Sequence, residues 1–281
     1  MTTEQAVSFL HSRLDERFGK GESSAMIRII FEEIMNYGSV DLVLRAKSEL
    51  PDFVPAKLEQ IVARLLQNEP LQYILGTALF HGHKFRVTPH TLIPRPETEQ
   101  LVDIIIDENR DSDLRVLDIG TGSGCIAISL ALALKFAVVS ATDISAEALS
   151  VASENALTLK AKVNFIQNDI LQGNLNIDGE LDLIVSNPPY ITGSEKAGME
   201  PNVLLYEPGT ALFVPDDDPL LYYRAIARFA TTTLRRGGRL YLECNRRFAH
   251  DVQRMLQKMG FVAQTVIDQF GNPRFVTAEK C

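Results

Sequence analysis

Asn187-Pro188-Pro189-Tyr190 is the stretch whose residue types could do chemistry together. The Asn187 side chain carries a carbonyl acceptor. Each proline leaves its own carbonyl free and removes an N–H, so the turn is rich in acceptors. Two acceptors converging on an –NH2 group would fix its two hydrogens and aim its nitrogen. Tyr190 could stack on the flat group that carries it. A planar amide or amino-purine nitrogen is a poor nucleophile, because its lone pair is delocalised. Orientation at attack distance is the help it most needs. Taken alone, the tetrad also reads as a proline-rich turn closing a strand.

The elements around it favour the chemical reading. The apolar run over residues 181–186 has the pattern of a buried parallel strand. Two prolines cannot continue a ladder, so the chain leaves the sheet at Asn187. Ligands bind at the carboxyl edge of open α/β sheets. From residue 113 strands and helices alternate, which implies a parallel sheet. Strand 115–119 runs into Gly120-Thr121-Gly122-Ser123-Gly124, and a helix follows over 125–134. Glycines let backbone approach a ligand, and the helix start offers free N–H groups. That turn alone is a weak signal, since any Rossmann-like domain could carry it.

A second strand, 137–142, ends in Asp143, placed about 20 residues beyond the turn where a carboxylate grips a ribose diol. To this point NAD(H) and S-adenosylmethionine both fit. A third strand, 163–167, leads to Asp169 and Ile170. Asp169 could accept from an adenine amino group, or cap a turn, and Ile170 could cover the purine face. A hydride enzyme needs a proton donor or acceptor beside its nicotinamide, and the tetrad supplies no good one. Methyl transfer suits the four strand ends better.

Composition bounds the rest. The 281 residues are 46% hydrophobic and 23% charged, as in ordinary globular proteins. No apolar run is long enough to span a membrane. The N-terminus lacks the basic start and apolar core of a signal peptide. Cys125, Cys244 and Cys281 show neither zinc nor disulfide spacing, so a reducing cytosol is expected. The net charge is −8, and residues 1–95 balance, so the excess acid lies in the later part. That argues against general binding to a nucleic-acid backbone. Arg235, Arg236, Arg239, Arg246 and Arg247 form the notable basic cluster, read as a solvated face.

In residues 1–75 nothing looks catalytic. Apolar spacing predicts helices over 3–18, from a cap at Ser23 or Ser24 to near Gly38, over 41–48, and from Pro55 through 67. Residues 1–75 therefore read as a small helical bundle with an interaction or positioning role. Residues 72–76 and 80–87 read as a hairpin linker. His81 and His83 have no third ligand nearby in sequence, so no metal is expected. Pro96 starts a helix through 108, with Arg95, Glu97 and Glu99 crowding charge at the junction, as caps or as site lining. Residues 261–280 read as two strands joined at Gly271-Asn272-Pro273.

With these stretches in view, the chain resembles the class I S-adenosylmethionine-dependent methyltransferases of the Asn-Pro-Pro-Tyr type. Within them it is similar to the release-factor glutamine N5-methyltransferases, the HemK-like family. The likeness covers nearly the whole chain. It is carried by residues 72–76, 117–124, 186–190, by Tyr206-Glu207-Pro208 and Ala211-Leu212, and above all by Pro94-Arg95-Pro96-Glu97-Thr98-Glu99. The resemblance implies an α/β fold: a Rossmann-like seven-stranded methyltransferase domain over 96–281, preceded by a helical substrate-positioning domain over 1–75 and a hairpin linker over 76–95.

It also implies S-adenosylmethionine as cofactor, S-adenosylhomocysteine as product, and methylation of the Gln side-chain amide in the Gly-Gly-Gln loop of class 1 peptide chain release factors. A cytoplasmic monomer is expected. Carried over, Gly120, Thr121, Gly122, Ser123 and Gly124 would wrap the methionine part of the cofactor. Asp143 would hold the ribose, and Asp169 with Ile170 the adenine. Asn187 would touch cofactor and substrate. The Pro188 carbonyl, Pro189 and Tyr190 would complete the amide clamp. The chain departs from the family pattern after Phe213, at Val214-Pro215-Asp216-Asp217-Asp218, and after Glu243, at Cys244-Asn245-Arg246-Arg247. Both lie on the substrate side. Rival readings are adenine N6 methylation of flipped-out DNA bases, methylation of a Gln in another protein, and a cofactor-binding module without chemistry.

Overall fold

The computed structural model describes residues 1–173 and 175–281. They form two compact units, one of residues 1–76 with 201–206, the other of 77–200 with 207–281.

The first unit is helical. Helix α1 (Thr3–Met35) starts in a capping box, Thr2 with Gln5, and breaks at Gly19, whose φ of 77° no helix accommodates. The two expected helices therefore meet at Gly19, not at a Ser23 or Ser24 cap. Ser23 is buried, and the Ser24 hydroxyl donates back to the Lys20 carbonyl. Asn36, in the left-handed region, closes α1, while Gly38 begins α2 (Ser39–Leu44). In α3 (Phe53–Leu65) Pro55 falls in the first turn, where its missing N–H costs nothing. Leu58, Ile61, Val62 and Leu65 meet Leu10, Leu14, Ile30 and Phe31 in the core. Residues 72–76, expected in the hairpin linker, instead belong to a helical turn, α4 (Leu71–Leu75), closed by Gly76. Pro70 at its start supplies the preset φ.

The second unit begins with strands β1 (Thr77–Phe80) and β2 (His83–Arg86). Their two-residue turn, His81-Gly82, has positive φ at both positions, as a twisted hairpin requires. Phe80 and Phe85 are buried with Leu101, Val102 and Ile105 of α5 (Pro96–Glu108).

The sheet strands are β3 (Arg115–Ile119), β4 (Val138–Asp143), β5 (Val163–Gln167), β6 (Leu181–Ser186), β9 (Leu234–Glu243), β10 (Phe261–Ile267) and β11 (Pro273–Lys280). A two-stranded parallel pair, β7 (Ile191–Thr192) with β8 (Phe213–Val214), stands apart. The seven strands run in the order β10-β11-β9-β6-β3-β4-β5. Six run in one direction, and β11, between β9 and β10, is antiparallel to both. The remaining helices are α6 (Cys125–Ala133), α7 (Ala146–Leu159), α8 (Pro201–Tyr206), α9 (Gly209–Leu212), α10 (Leu221–Thr233) and α11 (Ala249–Lys258).

Helices α5 and α6 pack on one face of the sheet, and α10 and α11 on the other. Both faces being covered explains why β3 and β6 are buried along almost their whole length. After β5 the chain returns to the far side of β3, so the strand order reverses between β3 and β6. A crevice opens there at the carboxyl ends.

Candidate active site

The crevice holds the four strand ends singled out in sequence. A cavity is lined by Gly120 and Gly122 after β3, Asp143 at the end of β4, Asp169 and Ile170 after β5, and Asn187, Pro188 and Pro189 after β6. His90, Leu92, Thr210, Ala211 and Tyr222 complete its wall.

The glycine turn is held by β4. The N–H groups of Gly120 and Thr121 both donate to the Thr142 carbonyl, at 2.8 and 2.9 Å. The Gly122 N–H donates to Asp143 Oδ2 at 2.9 Å, and the Ser145 N–H to Asp143 Oδ1 at 3.0 Å. Asp143 therefore stiffens the turn while facing the cavity. Burial raises its carboxyl above the ordinary value, and these N–H groups oppose that shift. Thr121 and Ser123 are buried and do not line the cavity. The Thr121 hydroxyl donates to Asp118 Oδ2 at 2.6 Å, and Asn155 Nδ2 donates to the Ser123 carbonyl. Gly124 lies under the turn, where a Cβ would stand 2.9 Å from Ile128 and 3.1 Å from Ala152.

Asp169 caps a turn and also reaches the cavity wall. Its Oδ1 accepts from the Leu171 N–H at 2.9 Å, capping a short turn, while the residue still lines the cavity beside Ile170.

The tetrad is anchored from behind. Asn187 Nδ2 donates to Thr98 Oγ1 at 3.2 Å, and Thr98 Oγ1 donates to Glu243 Oε2 at 2.7 Å. The Tyr190 hydroxyl donates to Glu243 Oε1 at 3.2 Å. Glu243 is buried, which raises its carboxyl; the Thr98 bond, the Arg274 charge and the Tyr190 bond oppose the rise. Tyr190 belongs to a second cavity. It is absent from the wall of the first cavity and lines a second, more open one with Ile191, Glu195, Asn245, Arg246 and Arg274. The bond to Glu243 and packing against the sheet core turn its ring that way.

The stretches that depart from the family pattern hold this second cavity together. Asn245 Nδ2 donates to the Tyr190 carbonyl at 3.1 Å and to Glu195 Oε2 at 3.0 Å. Asp216 Oδ1 accepts from the Ser194 N–H at 2.9 Å, and Lys196 sits 4.0 Å above the Phe213 ring. Ahead of α5, Glu207 accepts from Arg95 Nη2 at 2.5 Å and from the Ile93 N–H at 3.3 Å. His81 is bonded to Glu99 and Asp103. In the arginine cluster, Arg235 pairs with Asp182, Arg239 lies near Glu108 and Glu279, and Arg247 near Glu195.

Burial pushes the Cys125 thiol up to about 12 and the Cys244 thiol higher still, so neither is a thiolate nucleophile at neutral pH. The site can bind, orient and accept hydrogen bonds.

Sequence reasoning missed Thr98, Glu243 as a partner of the tetrad, and Asn245. Thr98 sits in the most discriminating motif, yet its hydroxyl partner is 145 residues away along the chain, and no local pattern marks it.

Known proteins resemble the chain in sequence and in fold. The family model described as "PrmC N-terminal domain" matches residues 5–76, and "Methyltransferase small domain" matches residues 97–206. A release factor glutamine methyltransferase of Bacteroides thetaiotaomicron is 44% identical over 274 residues, covering 97% of this chain and 98% of the relative. One of Flavobacterium psychrophilum is 43% identical, covering 97% and 95%. Among solved structures, a 16S rRNA methyltransferase of Thermus thermophilus, with AdoMet and guanosine, superposes with a TM-score of 0.54 at 19% identity, covering 73% of this chain and 50% of that one. A methyltransferase of Pyrococcus furiosus gives 0.53 at 20% identity, covering 78% and 96%. At those identities the two structures speak to the fold alone. No helix among the described residues is long and apolar enough to cross a membrane.

Proposed function

The chain belongs to the release factor glutamine methyltransferases, and we propose that it methylates the side-chain amide nitrogen of the Gln in the Gly-Gly-Gln loop of class 1 peptide chain release factors. S-adenosylmethionine is the methyl donor and S-adenosylhomocysteine the product.

One observation carries the reading. The Nδ2 group of Asn187 is committed to Thr98, so its carbonyl oxygen is left as an acceptor in the cavity that also holds Gly120, Asp143 and Asp169. The donor set fits the cofactor. Open faces at Gly120 and Gly122 admit its amino-acid end, the Asp143 carboxylate suits a ribose diol, and Asp169 with Ile170 suits an adenine edge and face. When bound, it supplies an electrophilic methyl group on a sulfonium sulfur, with a neutral thioether as leaving group.

The chain's own residues do the rest by orientation. The Asn187 carbonyl and the Pro188 backbone carbonyl accept the two hydrogens of the substrate amide. That aims its nitrogen at the methyl group. Both acceptors strengthen as the nitrogen gains positive charge during transfer, so they favour the transition state over the ground state. The methylated nitrogen is acidic and loses its proton without a strong base. The helical unit, which carries no catalytic constellation, serves to position the substrate.

The test is transfer of labelled methyl from S-adenosylmethionine to a purified class 1 release factor, beside its Gly-Gly-Gln→Gly-Gly-Ala variant and unmethylated DNA. Label in the intact factor alone is expected. Label in DNA, or equal label in the Ala variant, overturns the proposal.

A further inference from the structure

Asn187 can act as an acceptor only if the oxygen end of its amide faces the cavity. The two ends are alike in shape, so packing alone does not choose between them. Hydrogen-bond direction does. Each Glu243 oxygen faces a hydroxyl, Thr98 at Oε2 and Tyr190 at Oε1, and in both bonds the hydroxyl is the donor. Glu243 Oε2 therefore takes the Thr98 hydroxyl proton across 2.7 Å. Once that proton is committed, Thr98 Oγ1 can only accept from Asn187, and the group it meets at 3.2 Å must be Nδ2. The oxygen end is then turned to the cavity. The same carboxylate takes the Tyr190 hydroxyl proton on its other oxygen. Both ends of the tetrad are thus referred to one buried acid.

We infer that Glu243 is the positioning residue that sets the amide orientation of Asn187, through a one-way hydrogen-bond relay by way of Thr98. This deepens the proposed function and rests on the acceptor role given there to Asn187. Glu243 does not line the cavity, and both of its oxygens are engaged, so it acts through Thr98 and Tyr190 and does not touch the substrate. The relay also gives Thr98 a task that its place in the first turn of α5 does not explain. A valine there would fill the same space and lose the direction.

Substitution of the carboxylate by an amide tests the direction. In Glu243→Gln the side chain presents an –NH2 group as well as a carbonyl. If the –NH2 end faces Thr98, the Thr98 hydroxyl accepts from it and donates onward, and Asn187 flips to offer its oxygen to Thr98. The –NH2 end of Asn187 then faces the substrate amide, donor against donor.

The experiment measures kcat and KM for methyl transfer from S-adenosylmethionine to a class 1 release factor, with the cofactor dissociation constant measured by calorimetry. It compares the full chain with Glu243→Gln, Thr98→Val, Thr98→Ser and Asn187→Ala. Glu243→Gln and Thr98→Val should each lower kcat by roughly 10- to 100-fold, the scale of a misaligned reacting group, with cofactor affinity unchanged. Thr98→Ser keeps the hydroxyl and should recover most of the loss. The double variant Glu243→Gln/Thr98→Val should be no slower than the worse single one, because both break one relay.

Wild-type kcat in Glu243→Gln and Thr98→Val, with Asn187→Ala inactive, overturns the relay and leaves the proposed function standing. Failure of Thr98→Ser to recover what Thr98→Val loses also overturns it. High turnover in Asn187→Ala would remove the acceptor role itself, and the relay with it. Should Glu243→Gln fold poorly, the two Thr98 variants decide the matter alone.

Discussion

Arg95 Nη2 lies 2.5 Å from Glu207 Oε1, and the Glu207 side chain is only 1% exposed. The other Glu207 oxygen accepts from the Ile93 N–H. This buried acid therefore ties down the extended segment that leads into α5 and carries Leu92 to the cavity wall. Arg95→Ala would strand the carboxylate without its cation. The expected cost is roughly 2–4 kcal/mol, below the usual penalty for a fully buried pair because Arg95 is partly in water. Urea unfolding of the variant measures it. A loss under a few tenths of a kcal/mol would mean that the Ile93 N–H and water suffice to hold Glu207.

Much of this arrangement is legible in the sequence. β3, β5 and β6 and helix α5 fall where apolar pattern and proline place them, because each is a short element with its signal inside it. The cavity wall is legible for the same reason, since each strand end contributes its own lining residue. What escaped depends on partners far along the chain. The Arg95–Glu207 pair spans 112 residues and the Thr98–Glu243 bond 145. The turned ring of Tyr190 follows from Glu243 as well, and no pattern local to the tetrad encodes it. The early helices misled for a different reason. Gly19 and Ser23 both carry boundary signals, and only packing shows that Ser23 is buried while Gly19 takes the positive φ.

Gly124 and Gly120 should separate folding from binding. Both have positive φ, at 82° and 76°. A Cβ at Gly124 would press on Ile128 and on Ala152, a helix residue with no side chain to move aside, whereas a Cβ at Gly120 meets open space. Gly124→Ala is expected to cost about 2–4 kcal/mol from left-handed strain plus overpacking. Gly120→Ala should cost about 1–2 kcal/mol from strain alone, and its larger effect should be on cofactor affinity, since Gly120 lines the cavity. Denaturation and calorimetry on the two variants check the contrast. Equal stability losses would contradict it.

Asp143 holds the glycine turn by its bond to Gly122 and faces the proposed ribose site with the same carboxylate. Asp143→Ala removes the carboxyl acceptor and loosens the turn together. S-adenosylmethionine affinity should fall by about 10- to 150-fold, the equivalent of roughly 1.5–3 kcal/mol for hydrogen bonds to a charged group. Calorimetric titration reads the loss. Affinity within twofold of wild type would mean that the carboxylate serves the turn and not the cofactor.

Asp118 gives the fold a pH dependence of known sign. It is buried at the centre of the sheet, and desolvation pushes its carboxyl from 3.8 up to about 7, against the opposing hydrogen bond from Thr121. The folded state therefore binds this proton more tightly than the unfolded chain does. Stability from the group is fully present below the unfolded value and is lost as pH rises through about 7. Asp118→Asn keeps an acceptor for the Thr121 hydroxyl and cannot ionise. Unfolding by urea between pH 5 and pH 8 should show wild type losing stability relative to Asp118→Asn as pH rises, whatever the offset between them at pH 5. Parallel curves would mean that Asp118 is ionised in the folded protein throughout that range, and that its buried charge is compensated by the polar groups around the glycine turn.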